Sequence, residues 1–96
     1  MAEIVALSDE LGIPLICDEV YYGLSFDPNR EHVSFSHFHS QIPMICIGSL
    51  SKNYCVPGWR CGWSLVYNTH GYFDTIMEHM AKHATILIHP NSLVQH

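Results

Sequence analysis

Residues 2 to 11 alternate apolar and acidic residues at helical spacing, with Ile4, Leu7 and Leu11 sharing one face. Gly12 and Pro14 stop that helix: glycine accepts the left-handed conformation that closes a helix, and proline cannot continue one. Leu15, Ile16 and Cys17 form a continuous apolar run, as expected of a strand buried on both faces, and Asp18 falls at its C-terminal end. Residues 22 to 41 carry Gly, Pro, Asn, Ser and His and read as loop with one helical turn. Met44 to Ile47 predict a second buried strand, and Gly48 to Lys52 the turn that leaves it. Gly58 and Gly62 bracket Trp59 to Cys61, where they would allow close backbone approach or positive φ, and Trp63 to Tyr67 reads as a third strand. From Tyr72 to about Leu87, apolar residues recur at helical intervals (Phe73, Ile76, Met77, Met80, Ala84, Leu87), and Pro90 breaks the pattern.

Helix, strand, loop, strand, turn, strand, helix is an α/β pattern. Open α/β sheets bind ligands at the carboxyl ends of parallel strands, and Asp18 and Lys52 both occupy such ends. The chain has 96 residues, room for one small domain at most. Hydrophobic residues make up 48% and charged residues only 14%, thin for a chain whose surface would be mostly exposed, so the expectation is an excerpt from a larger core. A net charge of −5 with four Lys and Arg residues argues against nucleic-acid binding, which needs a basic stripe.

Cys17 and Cys46 lie in apolar runs and read as small buried hydrophobes, and the four cysteines form no Cys-x-x-Cys pair, which fits a reducing compartment. There is neither a signal-peptide pattern nor an apolar run of about 18 residues, so no membrane association is expected. The expected location is cytoplasmic, or mitochondrial if a leader precedes residue 1.

The run from Gly48 to Trp63, Gly-Ser-Leu-Ser-Lys-Asn-Tyr-Cys-Val-Pro-Gly-Trp-Arg-Cys-Gly-Trp, carries the chemistry. Lys52 supplies an amine that can form a Schiff base with an aldehyde. Ser49 and Arg60 supply a neutral donor and a paired, charge-assisted donor suited to a phosphate. An aldehyde and a phosphate on one small molecule describe pyridoxal phosphate (PLP). Asp18, in the segment Ile-Cys-Asp-Glu-Val-Tyr, supplies a carboxylate that would keep a pyridine nitrogen protonated.

Each residue also has a plainer reading: Lys52 and Arg60 as surface cations, Asp18 and Ser49 as turn formers, Tyr21 as packing. The motif as a whole favours the chemical one. Asn53 reads as turn chemistry only, and Glu19, pointing to the opposite strand face from Asp18, receives no catalytic role. Trp59 and Trp63 could stack on Arg60 or belong to the core. His79 and His83 stand at i, i+4, but no third ligand has matching spacing and no metal is expected.

On the two motifs Asp-Glu-Val-Tyr and Ser-Leu-Ser-Lys followed by Val-Pro-Gly-Trp-Arg-Cys-Gly-Trp, the chain resembles PLP-dependent aminotransferases of the aspartate aminotransferase fold type (class I/II), and most nearly tyrosine aminotransferases. The resemblance runs over nearly the whole chain. It implies a three-layer α/β/α fragment of the large domain of that fold, with a mostly parallel sheet, and residues 1–96 as a partial cofactor-binding domain. It implies that Lys52 is catalytic, that Asp18, Tyr21, Ser49, Lys52 and Arg60 bind PLP, and that the Tyr21 hydroxyl donates to the cofactor's phenolic oxygen. The implied reaction transfers an amino group from an amino acid of the aromatic, tyrosine-like class to a 2-oxo acid, and the implied assembly is a homodimer.

Two alternatives stand beside it: a truncated chain without activity and with at most weak PLP binding, and a related PLP-dependent lyase performing β-elimination. The resemblance also implies parts this chain does not contain. These are a glycine/serine-rich phosphate turn, an asparagine on an earlier strand, an aromatic residue stacked on the pyridine ring and a substrate-binding arginine. It further places a strand from outside the chain between the strand ending at Asp18 and the strand preceding Lys52.

Overall fold

The computed structural model describes residues 1–86 and 89–95. Helix α1 (Ala2–Leu11) closes where expected: Gly12 takes φ 66 and its N–H bonds to the Ser8 carbonyl. The Ser8 hydroxyl donates to the Ile13 carbonyl at 2.5 Å, which satisfies a buried polar side chain at the helix end. The apolar stripe does not face inward. Val5 and Ser8 are buried, whereas Ile4, Leu7 and Leu11 are exposed.

Strands β1 (Leu15–Asp18), β2 (Met44–Ser49) and β3 (Gly62–Tyr67) form one sheet in the order β1-β2-β3. β1 runs parallel to β2 with Cys17 opposite Cys46 and Asp18 opposite Ile47. β2 runs antiparallel to β3, from Met44 opposite Tyr67 to Ser49 opposite Gly62, so the sheet is mixed. This corrects the expectation of an intervening strand. The β1–β2 ladder is continuous from Leu15 N–H donating to the Pro43 carbonyl (3.2 Å) to Glu19 N–H donating to the Ile47 carbonyl (2.9 Å). Hydrogen-bonded neighbours stand about 4.8 Å apart, which leaves no room for another strand.

The core lies on one face of this sheet. Cys17, Met44 and Cys46 are buried there, with Leu15 and Phe35 packed against them, and Met44 is only 1% exposed. Alternation sends Ile16 and Ile47 to the other face, where Ile16 is 72% exposed, so the strands are not covered on both faces. The described residues span 44 × 41 × 16 Å, a thin slab. Its radius of gyration of 15.3 Å exceeds the ~12 Å expected of a compact domain this size. Helix α3 (Asp74–Ile86) begins at a turn in which the Asn68 side chain donates to Asp74 Oδ1 (2.7 Å) and accepts from Phe73 N–H (2.9 Å). Leu87, included in the helical pattern of the sequence, lies outside the described residues.

Asp9 ties α1 to the approach of β2. One carboxylate oxygen accepts from Ser40 Oγ (2.6 Å), Gln41 N–H (3.0 Å) and Ile42 N–H (3.2 Å). The Ser40 hydroxyl is the largest influence on this carboxyl. Desolvation pushes the other way, the two amides add to the hydroxyl's pull, and the net effect holds the group below its ordinary range. A carboxyl lowered by folding contributes stability that is present above its unfolded value and is lost as pH falls through the folded one. Acid unfolding of Asp9→Asn, followed by circular dichroism below pH ~4, is therefore expected to fall less steeply than that of the parent chain. Equal slopes would show that this tie between α1 and β2 is not linked to protonation.

Candidate functional site

The carboxyl ends of β1 and β2 carry the candidate residues because parallel, registered strands end side by side. Asp18 closes β1 opposite Ile47, two residues before Ser49, so Asp18, Ile47 and Ser49 belong to one face of the sheet. Asp18 is exposed, and its Oδ1 accepts from Val20 N–H at 3.2 Å in a local turn. Glu19 goes the other way. Its carboxylate accepts from Ser34 Oγ and Phe35 N–H, both at 2.7 Å, and so fixes the 3₁₀ turn Phe35–His37 against the sheet.

Ser49 is the pivot where β2 becomes a helix. Its hydroxyl accepts from Ser51 N–H (3.0 Å), capping the four-residue α2 (Leu50–Asn53), and donates to the Cys61 carbonyl (3.2 Å). Leu50 N–H donates to the same carbonyl at 3.1 Å, which fastens this turn to the start of β3. Lys52 is exposed on α2, and its Nζ stands 5.7 Å from the centroid of the Tyr21 ring. That is within reach of a cation–π contact, worth roughly 0.5–1 kcal/mol at an exposed site.

Arg60 follows the 3₁₀ turn Pro57–Trp59 in the left-handed conformation, φ 51, and one of its terminal nitrogens donates to the Pro57 carbonyl at 3.3 Å. A non-glycine residue there costs roughly 1–2 kcal/mol, so the surrounding turn imposes the conformation. Part of that turn is held from afar, by Asn91 N–H donating to the Trp59 carbonyl at 2.9 Å.

The structure brings Ser49 and Arg60 together as lining residues of one open cleft of about 710 Å³, between the end of the sheet and α3. Trp63, Met77, Met80 and Ala84 supply much of its apolar wall. Asp18, Tyr21 and Lys52 lie outside that lining, at the adjoining strand ends. Gly48 belongs to the same wall for a steric reason: a Cβ there would sit 2.5 Å from the Trp63 indole, so only glycine lets the ring lie across β2. Gly62 shows the close backbone approach expected of it, 3.1 Å from a built Cβ to the Gly48 carbonyl, whereas Gly58 has open space around it. Among the described residues no ring stacks on Arg60, and Trp59 and Trp63 are half exposed.

Reactive groups elsewhere are muted. Burial pushes the Cys17 and Cys46 thiols up, Cys46 to about 12, which keeps them protonated and inert as nucleophiles. Among the described residues no group of three metal-ligating side chains occurs, and no helix is long and apolar enough to cross a membrane. The sequence reading missed Asn53. Its side-chain amide donates to the Tyr22 carbonyl at 2.8 Å and links the Lys52 helix to the Tyr21 loop.

Residues 1–96 match the family described as aminotransferase class I and II. Tyrosine aminotransferase of Dictyostelium discoideum is 31% identical over 97 residues, a span covering 99% of this chain and 23% of that protein. An S-alkyl-thiohydroximate lyase of Arabidopsis thaliana is 29% identical, covering 99% and 21% respectively. The crystal structure of tyrosine aminotransferase from Leishmania infantum superposes with a TM-score of 0.83 at 27% identity, over 97% of this chain and 23% of that one. The chain thus spans less than a quarter of the length of these relatives.

Proposed function

The chain belongs to the class I and II aminotransferase family, and from that premise we propose that it forms the lysine-bearing part of a PLP site serving transamination between an amino acid and a 2-oxo acid. The observation that carries the reading is the registered parallel pairing of β1 with β2, which sets Asp18 and the Ser49–Lys52 turn at neighbouring strand ends.

The donor chemistry fits the group. A primary amine, a carboxylate, a phenol, a hydroxyl and a guanidinium stand at one end of one sheet. The only ion pair among the described residues, Arg30 with Asp27 at 3.6 Å, uses none of them. In this reading Ser49 and Arg60 hold the phosphate at the cleft, Asp18 meets the pyridine nitrogen and the Tyr21 hydroxyl donates to the phenolic oxygen. When bound, the cofactor supplies an electron sink for the bond to the amino acid's α-carbon. Lys52 would contribute the amine that holds the cofactor and would move the proton at the amino acid's α-carbon. Asp18 would keep the ring nitrogen charged. The tyrosine aminotransferase relatives support an aromatic amino acid as donor substrate.

A second reading, β-elimination, is favoured by one finding, the S-alkyl-thiohydroximate lyase among the relatives, and would use the same residues. The step this reading assigns to residues 1–96 is cofactor attachment at Lys52. Titration with PLP, followed by absorbance, tests the reading. Arg60→Ala is expected to weaken binding by about tenfold or more, the factor carried by the loss of one charge-assisted phosphate contact. Unchanged affinity would remove Arg60, and the cleft, from the site.

A further inference from the structure

We infer that Asn53 is a positioning residue that sets where the Lys52 amine sits, through a hydrogen bond to the loop carrying Tyr21. The inference rests on the reading of Lys52 as the cofactor-bearing lysine. The loop after β1 is a chain of short local bonds. Asp18 Oδ1 accepts from Val20 N–H, the Glu19 carbonyl accepts from Tyr22 N–H (2.9 Å), and the Tyr21 carbonyl accepts from Leu24 N–H (3.1 Å). At its start, Glu19 N–H joins this loop to the Ile47 carbonyl of β2. Further along, the one hydrogen bond between the loop and α2 among the described residues is donated by Asn53 Nδ2 to the Tyr22 carbonyl, across 31 residues of sequence.

Lys52 and Tyr21 are the immediate chain neighbours of the two bonded residues, and their side chains meet with Nζ 5.7 Å from the ring centroid. Both are exposed, so packing does not hold them in place. A helix of four residues has little rigidity of its own. The Asn53 amide is thus the restraint that joins the short helix to the loop and keeps the amine over the ring. Asparagine suits the position because a side-chain amide donates to a carbonyl without adding charge beside the lysine.

The test uses proton NMR of the whole 96-residue chain without cofactor. A methylene group held over an aromatic face shows an upfield ring-current shift, so the Lys52 ε-protons report the Tyr21 ring directly, and Tyr21→Leu removes the signal as a control. In Asn53→Leu, which keeps the size and loses the donor, the Lys52 upfield shift is expected to collapse toward the value in the Tyr21→Leu control. Asn53→Gln, which keeps the amide, is expected to restore part of it. Far-UV circular dichroism should not change, since Asn53 is exposed. Were Asn53→Leu to unfold, a cross-peak between the parent chain's Asn53 amide protons and Tyr22 would decide the matter, and its absence would overturn the inference. A Lys52 shift unaltered in a folded Asn53→Leu chain also overturns it.

With cofactor added, borohydride trapping at Lys52 is expected to slow about fivefold in Asn53→Leu, the effect of one neutral hydrogen bond. If the parent chain traps no cofactor while the ring-current result holds, the cofactor reading fails and the positioning role of Asn53 stands.

Discussion

Replacing Lys52 with alanine is expected to abolish covalent attachment of PLP outright. Of the two lysines in the chain, Lys82 lies on α3 and is not among the residues that line the cleft, so Lys52 is the one lysine on the turn that leaves β2. The loss is all-or-none because the bond requires a primary amine at that position. Arginine would keep the cation over Tyr21 and still fail, so Lys52→Arg separates the charge from the nucleophile. The visible absorbance of the chain–cofactor mixture is the measurement. A band that survives in both variants would place attachment elsewhere.

Met44→Ala is expected to have the largest effect on folding. Met44 is the largest fully buried side chain among the described residues, and it packs in a core whose other buried members are Cys17 and Cys46. Truncating a buried methionine costs about 2–5 kcal/mol through lost transfer energy and the cavity left behind. A chain this size holds about 5–14 kcal/mol in total, and less where the slab is thin and one sheet face is open. Chemical denaturation should therefore show a much lower midpoint for Met44→Ala, or no cooperative transition. A midpoint near that of the parent chain would show that the Cys17–Met44–Cys46 cluster is not the core that holds β1 to β2.

Much of this fold was legible because local signals and tertiary context agree. Gly12 ends α1 as its lack of a side chain permits, and the apolar runs at 15 to 17 and 44 to 47 are strands. What the sequence could not display is which face of each element would be covered. The stripe of Ile4, Leu7 and Leu11 has the right spacing for burial, yet Val5 and Ser8 face inward, because burial depends on what lies opposite. β2 runs on to Ser49 because β3 offers Gly62 as a partner there, a cross-strand fact invisible in the apolar run alone. The direct pairing of β1 with β2 is likewise a matter of register, and it places Asp18 beside the Lys52 turn more closely than the resemblance implied.

The chemistry of the candidate site was legible as residue types, since amine, carboxylate and guanidinium are side-chain properties. Its arrangement was not. The left-handed turn at Arg60 and the hydrogen bond from Asn53 to Tyr22 arise only once distant segments meet.

On the proposed reading Lys52, among all the amines of this chain, is the one that takes the cofactor. Peptide mapping by mass spectrometry after PLP and borohydride treatment tests it directly. The account predicts a single dominant modified peptide containing Lys52, formed at substoichiometric cofactor and absent from Lys52→Ala. Modification spread over Lys82 and the N-terminal amine with no preference for Lys52 would contradict it.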